Sequence, residues 1–124
     1  MKLVRKSGSM KCNPNYQESY WGCTNVQTYN ENALMTIITS TKNESVLPPA
    51  QDLEAIGGCN RKCHFYRLNG TTHTSPELVF RDLPNPLPVS RNQEMQIWYG
   101  QDWIDCSEGG NNGTTCVDVY AWYV

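Results

Sequence analysis

The stretch Glu94-Met95-Gln96-Ile97-Trp98-Tyr99 alternates along the chain, with Met95, Ile97 and Tyr99 on one face. A period of two is that of an extended strand, whose successive side chains point to opposite sides of a sheet. The same period returns over residues 116–124, where Val117, Val119, Ala121 and Tyr123 share one face and Asp118, Tyr120 and Trp122 the other. Working outward, residues 33–41 are rich in β-branched Thr and Ile and read as a strand. Residues 64–68 read likewise and end at the turn signal Asn69-Gly70, and residues 77–82 read as one more. Leu3 and Val4 suit a first, edge strand. Pro84, Pro86 and Pro88 forbid a central strand or a helix through their stretch. Residues 49–56 alone look helical, two turns ended by Gly57-Gly58. Short strands between polar turns, with no strand–helix–strand rhythm, predict an all-β fold: an antiparallel β-sandwich or jelly roll with long disulfide-pinned loops.

The chain has 124 residues, the length of one domain, and we take residues 1–124 as a single β domain. Within its first ten residues, Ser7-Gly8-Ser9-Met10 has the composition of an artificial linker. Leu, Ile, Val and Phe are scarce, but a net charge of −2 and 4 Trp and 7 Tyr supply what a compact core needs. Ten Lys and Arg against 12 Asp and Glu disfavour nucleic acid as a partner, because binding phosphates needs a cationic excess. No apolar run approaches the length of a membrane span.

Six Cys and three Asn-x-Ser/Thr sequons, at Asn43, Asn69 and Asn112, predict a secreted, disulfide-bonded glycoprotein. Spacing suggests local bridges: Cys12 with Cys23, Cys59 with Cys63, and Cys106 with Cys116. The residues from Met1 to Lys6 are basic and lack the apolar stretch of a signal peptide, so a mature protein or a domain is expected to begin here. Cys59-x3-Cys63-His64 approaches a metal or haem pattern, but with His73 the sole other His, bridging is the stronger reading.

The most unusual segment is residues 100–116, which joins the two clearest strands and carries Asp102, Trp103, Asp105, Glu108 and Asn111. Recognising a sugar takes planar amide or carboxylate groups for its hydroxyls and an aromatic ring for its C–H face. These five residues supply that mixture, with Trp103 as the stacking ring; Trp21 is the other Trp in polar surroundings, and each is as readily core filler. Trp98 and Trp122 lie within strands and are expected in the core or half-buried. Calcium is the one cofactor the loop suggests, on Asp102, Asp105 and Glu108, since Ca²⁺ collects oxygen donors. The spacing is not that of an EF-hand. No hydrolase, metalloprotease or phosphate-loop signature occurs, and pairs such as Asp102/Asp105 and Glu77/Asp82 read as solvated charges.

Two resemblances add to this. Residues 89–102, ending Ile97-Trp98-Tyr99-Gly100-Gln101-Asp102, resemble the final segment of PR/SET-type methyltransferase domains; no counterpart of their cofactor motifs is present. The same end with Asn111-Asn112-Gly113 and Cys116-Val117-Asp118-Val119-Tyr120-Ala121 resembles extracellular modules of cnidarian surface and matrix proteins. That resemblance covers the last quarter, implies a secreted recognition module and assigns no residues.

Together these observations lead us to expect a secreted, non-catalytic, lectin-like module whose partners are glycans or glycoproteins. One shallow site binds weakly, so a homo-oligomer or tandem copies are expected. The alternative is a matrix or cell-surface module that binds protein and carries glycosylated loops.

Overall fold

The computed structural model describes residues 1–23, 33–54, 65–104 and 108–123, with Glu108 described by its backbone. It is built from two three-stranded antiparallel sheets. In the first, β1 (Lys2–Lys11) lies between β4 (Glu77–Val79) and β6 (Asn112–Tyr120). In the second, β2 (Thr36–Ser40) lies between β3 (Ser45–Leu47) and β5 (Met95–Tyr99). The all-β expectation holds, and the strand at 95–99 lies where its alternation put it.

The two sheets share one core. Leu3 and Leu78 from the first meet Ile37, Ile38 and Leu47 from the second, together with Trp21, Leu34 and Tyr66. Residues 36–39 of β2 are buried on both faces, which its Thr-Ile-Ile-Thr run of stiff β-branched side chains suits. Leu34 and Tyr66 exchange backbone hydrogen bonds of 2.9 Å each way, adding a crossing segment beside that strand. Trp21 is core rather than a surface ring: it is 1% exposed, and its indole N–H donates to the Ser75 carbonyl at 2.6 Å. The Tyr66 hydroxyl donates to the Thr36 carbonyl, and burial pushes its phenol well above the usual tyrosine value.

Several expectations need correction. Leu3 and Val4 begin a ten-residue central strand, not an edge, and Ser7 to Met10 are part of it, paired with Cys116 to Gly113. Gly8 sits at φ +81°, where a Cβ would fall 1.9 Å from the Thr114 carbonyl oxygen, so the apparent linker glycine is a pairing requirement. The helix expected over 49–56 is a single 3-10 turn, Ala50–Asp52. Glu54 is instead drawn into backbone pairing with Phe65, and residues 55–58 lie outside the described residues. Strand β6 starts at Asn112, inside the supposed loop, because the long β1 offers Ser9, Met10 and Lys11 as backbone partners to residues of weak strand propensity. Trp98 is half-buried as expected, but Trp122 is 69% exposed.

The Cys12–Cys23 bridge is formed, with the two Cα atoms 5.5 Å apart. Cys116 is not bridged: its thiol is free and exposed on β6, opposite Ser7. The expected bridge to Cys106 placed Cys116 in a loop, whereas strand pairing holds it in the sheet. Cys59, Cys63 and Cys106 lie outside the described residues.

Candidate functional site

Where β1 ends and β6 begins, the first sheet comes alongside the last residue of β5. There Tyr99 passes into α1 (Gly100–Trp103), a single helical turn. The Gly100 N–H donates to the Met35 carbonyl at 2.7 Å, and the Tyr99 hydroxyl donates to the Gly22 carbonyl at 2.9 Å. These bonds tie the corner to the core. A hollow of about 520 Å³ opens between the two sheets at this point. One wall is Tyr99 and Asp102; the other is Met10 and Lys11 with Asn111, Asn112 and Gly113, and Gly109 completes the rim.

Glycine makes that second wall possible. Gly113 stands at φ +97°, and a Cβ there would lie 2.3 Å from the Ser9 carbonyl oxygen. A Cβ on Gly110 would come within 2.8 Å of the Cys12 carbonyl oxygen, so the turn Glu108–Gly110 lies directly on the disulfide-closed loop. The chemistry at the hollow is mixed. Asp102 brings an exposed carboxylate, Lys11 an ammonium, Asn111 and Asn112 amides, and Tyr99 and Met10 apolar surface. Among the described residues the Asn111 side-chain oxygen is shielded from solvent and has no hydrogen-bond partner.

Of the five residues expected to bind ligand, the structure brings Asp102 and Asn111 together at this hollow. Trp103 is not among its lining residues: it packs half-buried against the core, and its indole N–H donates to the Asn43 carbonyl at 3.2 Å. Asp105 and the Glu108 side chain lie outside the described residues. Of the three carboxylates expected to hold calcium, only Asp102 is therefore described. Among the described residues, no group of three or more His, Cys, Asp or Glu could hold a metal ion. Sequence reasoning missed Met10, Lys11, Tyr99 and Gly113, which reach the hollow through strand pairing between distant segments. The one local signal was Asn112-Gly113, read as a glycosylation motif. Asn43, Asn69 and Asn112 are all exposed.

The fold is shared with a sea anemone lectin. AJLec from Anthopleura japonica superposes with a TM-score of 0.76 at 25% sequence identity, covering 99% of this chain and 77% of that one. No protein-family model matches the chain, and no curated protein matches it. The cnidarian resemblance of the last quarter thus extends, at the level of structure, to nearly the whole chain. A lectin neighbour and a disulfide are both compatible with an extracellular location. Among the described residues no helix is long and apolar enough to cross a membrane.

Proposed function

We propose that this chain is a secreted, non-catalytic carbohydrate-binding module whose site is the hollow between Tyr99–Asp102 and the Lys11–Asn112 strand pair. The observation that carries the reading is the meeting of Asp102 and Asn111 there, in a fold shared with a lectin. The Asp102 carboxylate accepts hydrogen bonds from neighbouring sugar hydroxyls, and the Asn111 amide adds a further polar partner at the wall. Lys11 and Asn112 donate. Tyr99 and Met10 offer apolar surface to the C–H face of the ring. Binding and orientation need no covalent step. Calcium rests on the chemistry of Asp102, Asp105 and Glu108 as oxygen donors, and its contribution is separable by chelation.

The test is retention of the disulfide-intact protein, in multivalent form, on immobilised glycans with and without EDTA. Retention on a defined sugar, lost in Asp102→Ala and Asn111→Ala with unchanged melting curves, is the expected result. Loss of retention in EDTA assigns the metal; indifference to EDTA removes it and keeps the sugar. No retention on any glycan overturns the reading. It would favour a protein-binding module instead, for which the exposed Val119, Tyr120, Trp122 and Tyr123 are the surface to examine. Intact mass of natural material reads occupancy at Asn112, where a glycan would cover the hollow.

A further inference from the structure

The hollow continues beyond the Lys11–Asn112 pair. A second, smaller one of about 270 Å³ adjoins it, sharing Met10, Lys11, Asn112 and Gly113 with the first and adding Ser9, Pro14 and Glu18. The four residues common to both hollows, the divide between them, are paired through their backbone, with Met10 opposite Gly113 and Lys11 opposite Asn112. The far wall is held in place rather than loosely draped. Met10 and Ser19 exchange backbone hydrogen bonds of 2.7 and 2.8 Å, fixing the chain next to Glu18. The Asn13 side chain accepts from the Asn15 N–H at 2.9 Å and the Asn13 carbonyl from the Tyr16 N–H at 3.0 Å, setting the turn that carries Pro14. The Cys12–Cys23 bridge closes this whole loop. Glu18 is exposed, so its carboxylate faces solvent beside the divide.

We propose that the site takes a glycan chain of at least two sugar rings rather than a single sugar, one ring in each hollow, with the linkage passing over the Lys11–Asn112 pair. The inference rests on the carbohydrate reading of the first hollow and names the ligand class it would take. The chemistry repeats on either side of the divide. Each hollow has one exposed carboxylate, Asp102 in the first and Glu18 in the second, which accepts hydroxyl donors. Lys11 stands between them and donates to oxygens at or beside the linkage. Because both walls are preorganised, the second ring adds affinity with little further ordering of the protein.

The experiment titrates the purified protein with matched mono-, di- and trisaccharides of glucose, galactose, mannose and N-acetylglucosamine, by calorimetry or ligand-observed NMR. In at least one series the disaccharide is expected to bind tenfold or more tighter than its monosaccharide, with a much smaller step to the trisaccharide. Glu18→Gln is expected to erase the disaccharide gain, whereas Asp102→Asn weakens mono- and disaccharide together. Equal affinity for mono- and disaccharide in the unsubstituted protein overturns the two-ring site and leaves the first hollow standing. A gain that survives Glu18→Gln overturns the assignment of the second ring. Failure of every saccharide to bind overturns the carbohydrate reading itself and this inference with it.

Discussion

The two sheets of this small protein are put to different uses. The sheet centred on β2 buries its central strand on both faces, and Ile37, Ile38 and Thr39 are at most 2% exposed. The sheet centred on β1 buries Leu3 and Leu78 at one end but carries glycines, amides and charges at the other, where Gly8, Lys11, Asn112 and Gly113 pair. At the buried end apolar contact decides the structure. At the open end the backbone ladder with its glycines Gly8 and Gly113 does so. On the proposed reading, stability and recognition are separated along a single strand, β1.

If that separation is right, substitutions should sort by location. The largest effect is expected in the core: Ile37→Ala should cost about 2–5 kcal/mol, read by urea denaturation, because it leaves a cavity beneath both sheets. Removing the bridge with Cys12→Ala and Cys23→Ala should cost about 3 kcal/mol by the loop-entropy argument. It should also weaken glycan binding, since that loop forms a wall of the smaller hollow. Gly113→Ala should cost about 1–3 kcal/mol, because alanine meets both an unfavourable φ and the Ser9 carbonyl. Its loss of glycan retention should exceed its loss of stability, and the reverse order would dissolve the distinction between the two ends.

The core end was largely legible in the sequence and the open end was not. Period-two alternation located β5, although its Ile97 is 46% exposed, and the β-branched Thr-Ile-Ile-Thr run located β2, which is buried on both faces. The first half of β6, Asn112-Gly113-Thr114-Thr115, has no such pattern. It is a strand because Ser9, Met10 and Lys11, about a hundred residues away in sequence, provide its hydrogen-bond partners. The same pairing explains the site. Asp102 and Asn111 were singled out by residue type, whereas Lys11 and Met10 joined them only through strand register. For Trp103, expected either as a stacking ring or as core filler, polar neighbours in sequence did not foretell that its ring would pack on the core and its N–H would find Asn43.

A subtler effect belongs to Tyr66, at the heart of the buried end. Its phenol is held protonated above the ordinary tyrosine range, so folded and unfolded chains bind the same proton below about pH 10 and stability there is insensitive to it. Above that pH the unfolded chain ionises first, and stability should fall as pH rises. Denaturation midpoints at pH 9 and pH 11 check this. Tyr66→Phe should cost about 1 kcal/mol at neutral pH, for the lost bond to Thr36, and should flatten the alkaline decline.

The smallest effect on stability, and the sharpest test of the contrast, is Asp102→Asn at the open end. Its carboxylate is exposed and takes part in none of the ion pairs formed among the described residues, which join Lys2 to Glu77, Lys6 to Asp118 and Arg67 to Glu54. Neutralising it should therefore shift the unfolding free energy by less than about 0.5 kcal/mol. Retention on a glycan surface should nonetheless fall several-fold, since the amide keeps the shape but offers one acceptor oxygen where the carboxylate offered two. A variant that unfolds early would place Asp102 in the scaffold. One that folds and still binds as before would move the site away from α1 and leave the hollow without its main acceptor.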